Sequence, residues 1–491
     1  MNVLFINPKI RDYSRSVTTP LGLLSIASTL QANGFSVRIY DRTVQKESLA
    51  DVLRAFRPEL VGVSLVSFKS FFDALDVSEQ IKKRLSVPIV WGGPLASELP
   101  AATLVNACVD AVSVSEGEYT WLELAQTVHG GKTDFSRVKG LVLRAPDGGC
   151  LRTEDRPFLD LGELPDLDWT LIPVEKYFQS NFGCKRMLYI YAAKGCPNSC
   201  TFCYNKDFHK CKYRKRPIEA VLRDIRYLAE NHGADGVYFA DELWCRSRQE
   251  LRDVCAALRS LNLDIRWGCQ TRIGLFDESD FKCMYNAGCR WILFGVESGS
   301  KRVLAAMNKR IDYDKIVPTF RDCRSAGIAP VGSFIIGFPG ETPDDARETV
   351  ALIERLDTDL ISLNAFMVFP ASDMYYKLVR EGKYPAITDL RTIAKEDPMR
   401  YLRYNYSELP DRDVKVLQAA YMWRSFRTGG KSIDGKRGSF TKKVIEDALH
   451  SLNGDSLASF LWSAWRAGLE FLHYFFYAHA FPKIKKKYGV R

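Results

Sequence analysis

Apolar residues in the first 130 positions fall into short runs separated by stretches with helical spacing. Val3-Leu4-Phe5-Ile6 predicts a buried strand, Leu21 to Asn33 a helix ended by Gly34, and Ser36 to Tyr40 a second strand stopped by Asp41. Leu60 to Leu65, Val87 to Trp91 and Ala111 to Val114 predict three more. Short apolar strands alternating with helices build a parallel, doubly wound α/β sheet, which takes ligands at the carboxyl ends of its strands. The chain's punctuation falls at those ends: Asn7-Pro8, Ser64-Leu65-Val66-Ser67, Gly92-Gly93-Pro94 and Glu116-Gly117-Glu118. Each alone reads as an ordinary turn; four on one rim predict a ligand site.

The periodicity fades after residue 140, and Leu159 to Trp169 is acidic and turn-prone. We therefore divide the chain into a unit over 1–140, a linker over 141–184, a second unit over 185–375 and a third over 376–491. The second unit has strands at Leu188 to Ala192, Gly236 to Phe239, Ile265 to Cys269, Trp291 to Val296, Gly332 to Ile336 and Leu360 to Phe366. Six strand–helix pairs predict a partial (β/α)6 barrel with its chemistry at the C-terminal strand ends. The third unit reads as helical. Its stretch Leu457 to Phe481 is rich in aromatics and is followed by Lys483-Ile484-Lys485-Lys486-Lys487. That segment has two readings: an apolar core closing over the barrel mouth, or a helix in peripheral contact with the cytoplasmic face of a membrane, its lysines on anionic lipid.

A length of 491 residues agrees with two or three domains. The formal net charge of +10, from 69 basic and 59 acidic residues, permits an acidic partner without selecting one. Thirteen cysteines scattered over a long chain make a poor disulfide framework. Met1 to Asn7 runs straight into a strand without a signal-peptide pattern, and no apolar run is long enough to span a bilayer. Reduced thiols in a cytoplasmic compartment are expected.

The strongest local signal is Gly195-Cys196-Pro197-Asn198-Ser199-Cys200-Thr201-Phe202-Cys203, on the loop leaving the first barrel strand. Three thiolates so close together select zinc or iron–sulfur. A structural zinc site wants a fourth ligand, for which His209 and Cys211 are the near candidates. Three thiolates alone leave one iron of a four-iron cubane open.

The Cys-x3-Cys-x2-Cys spacing, its place after the first barrel strand and Phe202 before the last cysteine resemble the radical SAM superfamily. The resemblance implies a [4Fe–4S] cluster on Cys196, Cys200 and Cys203 that is reduced and cleaves S-adenosylmethionine to a 5′-deoxyadenosyl radical. It also implies S-adenosylmethionine-binding roles along successive strand ends. Asp241 and Glu242, in Tyr238-Phe239-Ala240-Asp241-Glu242, would meet the amino group and Arg272 the carboxylate. Glu297 and Ser298, in Gly295-Val296-Glu297-Ser298-Gly299-Ser300, would meet the ribose. Gly337 and Phe338, in the Phe334 to Thr342 element, would meet the adenine, with Phe202 beside the cluster. Singly, each acid or arginine is equally explained as a helix cap or a surface charge.

The first unit resembles the Rossmann-like cobalamin-binding domain of one branch of that superfamily, the class B radical SAM methyltransferases. Pro20-Leu21-Gly22-Leu23-Leu24, Val61-Gly62-Val63-Ser64, Gly92-Gly93-Pro94, Glu116-Gly117-Glu118 and Arg214-Lys215-Arg216-Pro217 carry the likeness. It implies a cobalamin site from Asn7, Pro8, Pro20, Leu21, Gly22, Ser64, Leu65, Val66, Ser67, Gly92, Gly93, Pro94, Glu116, Gly117 and Glu118. Many cobalamin proteins offer cobalt a histidine from this domain, but the first histidine here is His129. Cobalamin without a histidine ligand is expected, its lower face shielded by apolar side chains or water; a scaffold that has lost cobalamin is the alternative. The implied activity is methyl transfer to an unactivated carbon of a small or hydrophobic, lipid-like substrate. A reducing donor such as flavodoxin or ferredoxin is expected, and no nucleic acid. Cyclisation or ring rearrangement with the same cofactors is the competing outcome. A methylthiotransferase would want further cysteines in the first unit, where only Cys108 stands.

Overall fold

The computed structural model describes residues 1–10, 17–356, 358, 360–394, 405–428 and 481–490. Strands β1 (Asn2–Asn7), β2 (Ser36–Asp41), β3 (Leu60–Ser64), β4 (Ile89–Gly92) and β5 (Ala111–Ser113) lie parallel in the order β2-β1-β3-β4-β5. Val3, Leu4, Phe5 and Ile6 are fully buried on both faces of β1, as a parallel sheet covered by helices requires. The strand order reverses between β1 and β3. Asn7-Pro8 and Ser64 to Ser67 therefore flank the crevice where such sheets bind ligands.

Residues 141–152, expected within a linker, instead form β6 (Leu141–Arg144) and β7 (Cys150–Arg152), which extend the first sheet antiparallel from β5. This hairpin escaped the apolar pattern because β7 is wholly exposed. Its Pro146-Asp147-Gly148-Gly149 turn was the available signal. The rest of the segment packs firmly too. Leu159, Leu161, Leu167 and Trp169 are buried, Trp169 Nε1 donates to Asp224 Oδ1 (2.9 Å), and the Tyr177 hydroxyl donates to Asp41 Oδ2 (2.8 Å). It mortars the two sheets together.

The second sheet comprises β8 (Gln179–Asn181) and β9 (Cys184–Ile190), then, after the short antiparallel pair β10 (Ala193–Lys194) and β11 (Arg214–Lys215), β12 (Gly236–Phe239), β13 (Arg266–Thr271), β14 (Cys289–Glu297), β15 (Ala329–Ile336) and β16 (Ile361–Ala365). Its order is β8-β9-β12-β13-β14-β15-β16, parallel except for edge strand β8. The six expected strands are all present, with ends displaced by a few residues. Packing inside is close: a Cβ on Gly268 would lie 2.0 Å from the Trp291 ring. The two sheets share core, since Leu4, Ile6 and Trp91 belong to one buried apolar cluster with Phe338, Phe366 and Tyr375.

Past the barrel the described chain is helical at Asp373–Arg380, Leu390–Ala394, Asp411–Thr428 and Pro482–Tyr488. The aromatic stretch expected from Leu457 lies, up to residue 480, outside the described residues. The lysine-rich tail forms the last helix, docked through buried Ile484 and Tyr488, with Lys487 donating to Asp413 Oδ2 at 2.7 Å. Among the described residues no helix is long and apolar enough to cross a membrane.

Candidate functional site

The cysteine loop leaves β10 at Gly195, where φ is +81° and a Cβ would lie 2.1 Å from the Lys212 carbonyl oxygen. Only glycine lets the returning chain close against the loop there. The two acids ending β12 grip this root. Asp241 Oδ1 accepts from Ala192 N and Glu242 Oε2 from Gly195 N, each at 2.9 Å. Burial pushes the Asp241 carboxyl well above the carboxylate range. Its Oδ2 is buried without a hydrogen-bond partner, an orphan acceptor that an ammonium group would satisfy. For Glu242 burial is outweighed by His209, whose Nε2 lies 3.4 Å away, and the carboxyl is held below its usual value.

Residues 306–308 strap the other side of the loop. Thr201 N donates to the Met307 carbonyl (2.9 Å) and Asn308 Nδ2 to that of Ser199 (2.9 Å). Within the loop, Asn205 Nδ2 donates to the Cys196 carbonyl (2.8 Å) and Asn198 Nδ2 to Cys196 Sγ (3.1 Å). All three cysteines are half-buried. Burial pushes the Cys203 thiol up to about 12 and raises Cys200, and the neighbouring cysteines add to both. Crowded thiols ionise only against a positive centre, which suits the donor chemistry of iron–sulfur ligation. Among the described residues no three His, Cys, Asp or Glu side chains converge on a single ion. His209 is engaged with Glu242, and Cys211 Sγ points at the Asn198 carbonyl (3.6 Å).

The other expected S-adenosylmethionine residues divide. Glu297 ends β14 beside the loop, in an ion pair with Lys309. The Arg272 guanidinium donates to the Arg310 carbonyl and its charge bears on Cys200. Gly337 adopts φ +82°, and its N–H and that of Phe338 donate to Glu341 Oε2. Two side chains face elsewhere. Ser298 is fully buried, its Oγ within 3.1 Å of Thr349 Oγ1 and of Ser300 N, so it builds the turn. Phe338 is a core ring packed edge-on against Phe366. Phe202 is half-buried against the same core.

On the first sheet's rim, the loops after β3 and β4 lie against each other. Leu65 N donates to the Gly92 carbonyl (2.7 Å), Leu95 N to that of Leu65 (3.1 Å), and Gly93 turns at φ +92°. Leu65 is core, while Val66 beside it is 56% exposed, an apolar side chain at the crevice that fits a corrin face left without a histidine. Ser64, Ser67, Gly92 and Pro94 are half-buried around it. The helix Leu21–Ala32 starts at Pro20 without a side-chain cap and with Gly22 exposed; its Leu21 N–H is taken by the Thr19 carbonyl (2.8 Å). Pro8 is buried, and Asn7 Nδ2 is committed to Asp41 Oδ2 (2.8 Å).

Glu116, Gly117 and Glu118, expected to line a ligand, are buried, and both acids have protein partners. Glu116 takes both guanidinium nitrogens of Arg214, at 2.6 and 2.8 Å. Glu118 takes Ser25 Oγ (2.7 Å) and Lys194 Nζ (2.6 Å). Gly117 lets Ile26 approach, since a Cβ there would lie 2.6 Å from Ile26 Cδ1. Lys194 and Arg214 sit on β10 and β11, the pair from which the cysteine loop springs. Ser115 Oγ adds a bond to the Phe208 carbonyl (3.3 Å). The carboxyl ends of the two sheets are thus locked face to face. Neither Lys194 nor Lys309 carries a local sequence signal; each is defined by a distant acid.

Residues 190–353 match the Radical SAM superfamily model and residues 9–125 the B12 binding domain model. An uncharacterized methyltransferase of Pyrococcus horikoshii is 27% identical over 86% of this chain and 92% of its own length. The anaerobic magnesium-protoporphyrin IX monomethyl ester cyclase of Rubrivivax gelatinosus is 25% identical over 87% and 78%. The hopanoid C-3 methylase of Methylococcus capsulatus is 24% identical over 89% and 84%. In fold, the chain is similar to the radical S-adenosylmethionine methyltransferase TsrM from Kitasatospora setae, solved with cobalamin and [4Fe–4S] cluster bound (20% identity, TM-score 0.65, 77% of this chain and 75% of that one). It is also similar to OxsB with aqua-cobalamin and S-adenosylmethionine bound (18%, 0.66, 92% and 70%).

Proposed function

The chain is a radical SAM enzyme that carries a B12 binding domain, and from this we propose that it is a cobalamin-dependent methyltransferase acting on an unactivated carbon of a small or hydrophobic substrate. The observation that carries the proposal is the lock between Glu116 and Glu118 at the first rim and Arg214 and Lys194 at the root of the cysteine loop. It turns the ligand-binding ends of both sheets toward each other, as a reaction shared by two cofactors demands.

In this reading Cys196, Cys200 and Cys203 hold the [4Fe–4S] cluster. Asp241, through its orphan Oδ2, receives the amino group of S-adenosylmethionine, Glu297 its ribose and the Gly337 backbone its adenine. Arg272 supplies charge near its carboxylate. Val66, Ser64, Ser67, Gly92 to Pro94 and the start of the Leu21–Ala32 helix hold cobalamin. When bound, the cluster supplies the electron for reductive cleavage of S-adenosylmethionine and cobalamin carries the methyl group. The chain's own residues hold the two faces at fixed separation and keep water from the space between. A flavodoxin- or ferredoxin-type protein is the expected donor of electrons.

The test is turnover of anaerobically reconstituted protein with S-adenosylmethionine labelled in its S-methyl group, against a panel of apolar and tetrapyrrole substrates. Label in the product's carbon skeleton supports methyl transfer. A product of altered ring connectivity without label would favour a second reading, cyclisation, which the similarity to the magnesium-protoporphyrin cyclase supports. A reconstituted protein without corrinoid absorption bands would refute both.

A further inference from the structure

Lys309 has no part in the expected site, yet the fold builds a place for it. It follows the strap that fastens the Ser199 and Thr201 backbone. Its ammonium donates to Glu297 Oε1 at 2.7 Å, and both side chains are only 10% exposed. The backbone around the pair is shaped to admit it. Glu297 stands at φ +71°, in the left-handed region. The β14–β15 register slips between Gly295 and Glu297. A Cβ on Gly295 would lie 2.6 Å from Glu297 Oε1 and 2.8 Å from Lys309 Nζ. A bulge, a strained acid and a glycine that leaves room for both side-chain ends thus converge on one buried cation. Burial would deprotonate it, but Glu297 outweighs that and keeps it charged. The strap sets it beside Cys200, because Met307 and Asn308, immediately before Lys309, hold the Thr201 and Ser199 backbone on either side of that cysteine.

We propose that Lys309 is a positioning residue for charge: a fixed cation, seated by Glu297 and the strap beside Cys200, that raises the reduction potential of the cluster held by Cys196, Cys200 and Cys203. The proposal rests on the iron–sulfur reading of those cysteines. One-electron reduction makes the cluster with its thiolates more negative, and a cation in a poorly screened position stabilises the reduced form. Glu297 cancels part of that effect, so the two side chains act on the potential with opposite signs.

The experiment is an EPR-monitored redox titration of the full chain, reconstituted with iron and sulfide and kept free of S-adenosylmethionine. Lys309→Met should lower the reduced-to-oxidised ratio at a given potential about tenfold, equivalent to about 59 mV for one electron. Glu297→Gln should raise it, and Lys309→Arg should restore the wild-type value. Iron and sulfide content should match wild type throughout. Lys309→Met at full iron content with an unshifted midpoint would overturn the proposal, as would Met and Gln variants that shift the same way. If Lys309→Met fails to load iron, Glu297→Gln decides: an unshifted midpoint there refutes the role. A wild-type chain that takes up no reducible cluster would instead sink the iron–sulfur reading itself.

Discussion

Breaking the Glu116–Arg214 pair measures how strongly the two sheets are locked. Removing one partner of a buried ion pair costs roughly 3–5 kcal/mol, mostly because the other charge stays buried and unpaired. Here the side chains are 6% and 15% exposed and share two short hydrogen bonds. Relief is available on both sides. In Arg214→Ala, Glu116 keeps the Leu159 N–H (3.4 Å) and has Lys194 Nζ and His209 Nδ1 at 4.0 Å. In Glu116→Ala, Arg214 keeps the Phe158 ring, 4.6 Å from its guanidinium carbon. We therefore expect each single variant to lose about 2–4 kcal/mol, the lower part of that range plus a margin for relaxation. The double variant should lose no more than either single, a coupling of about 2–4 kcal/mol. The assay is urea unfolding of all four proteins, followed in parallel by tryptophan fluorescence and far-ultraviolet dichroism. Turnover of the single variants should fall further than their corrinoid and iron contents. Strictly additive losses, or single-variant costs under about 1 kcal/mol, would reduce the pair to a surface contact and remove the observation on which the facing of the two sites rests.

Alanine at Cys196, Cys200 or Cys203 should abolish iron loading and the cluster's visible absorption while corrinoid binding persists; Cys211→Ala should load iron normally, and its failure would revive a four-ligand site. Glu341 is buried with Oε1 unpartnered, and burial lifts its carboxyl to about 8 despite the Gly337 and Phe338 N–H donors. Its folded pKa exceeds the unfolded value of about 4.3, so its contribution is complete below about pH 4.3 and is lost as pH rises through about 8. Melting temperatures should thus fall from pH 6 to pH 9 more steeply in wild type than in Glu341→Gln, and parallel profiles would contradict the assignment. Gly268→Ala should cost at least about 1–3 kcal/mol by forcing the Trp291 ring aside; an unchanged melting temperature would mean that the sheet yields there.

Most strands were legible because burial on both faces leaves continuous apolar runs, as at Val3 to Ile6 and Gly236 to Phe239. β7 was not, since an exposed edge strand needs no such run. The cysteine loop stood out by its spacing, but the spacing left zinc and iron–sulfur both open until the strand-end elements around it were read with it. The pairing of the rim acids was not legible: the partners of Glu116 and Glu118 lie 98 and 76 positions away in Arg214 and Lys194. A charge pair of that separation leaves no periodic trace. The hydrogen bonds of Ser298 were hidden for a related reason. Its partner Thr349 belongs to the Pro343–Arg355 helix, so nothing next to it in sequence marks the hydroxyl as taken.

The lock also explains how such a chain could diversify. Lys194 and Gly195, immediately before Cys196, are each tied to an acid, one following β5 and the other following β12. The segment that positions the cysteines is therefore anchored from within the two sheets, and the chain just beyond β16 adds one more hold, since Met374 N donates to the Thr201 carbonyl (2.8 Å). Insertions or exchanges downstream of the Asp373–Arg380 helix would leave these ties in place. Under the proposed function, substrate choice and reaction power would then be separable inheritances, with the ties around the cysteine loop kept while the chain downstream is exchanged.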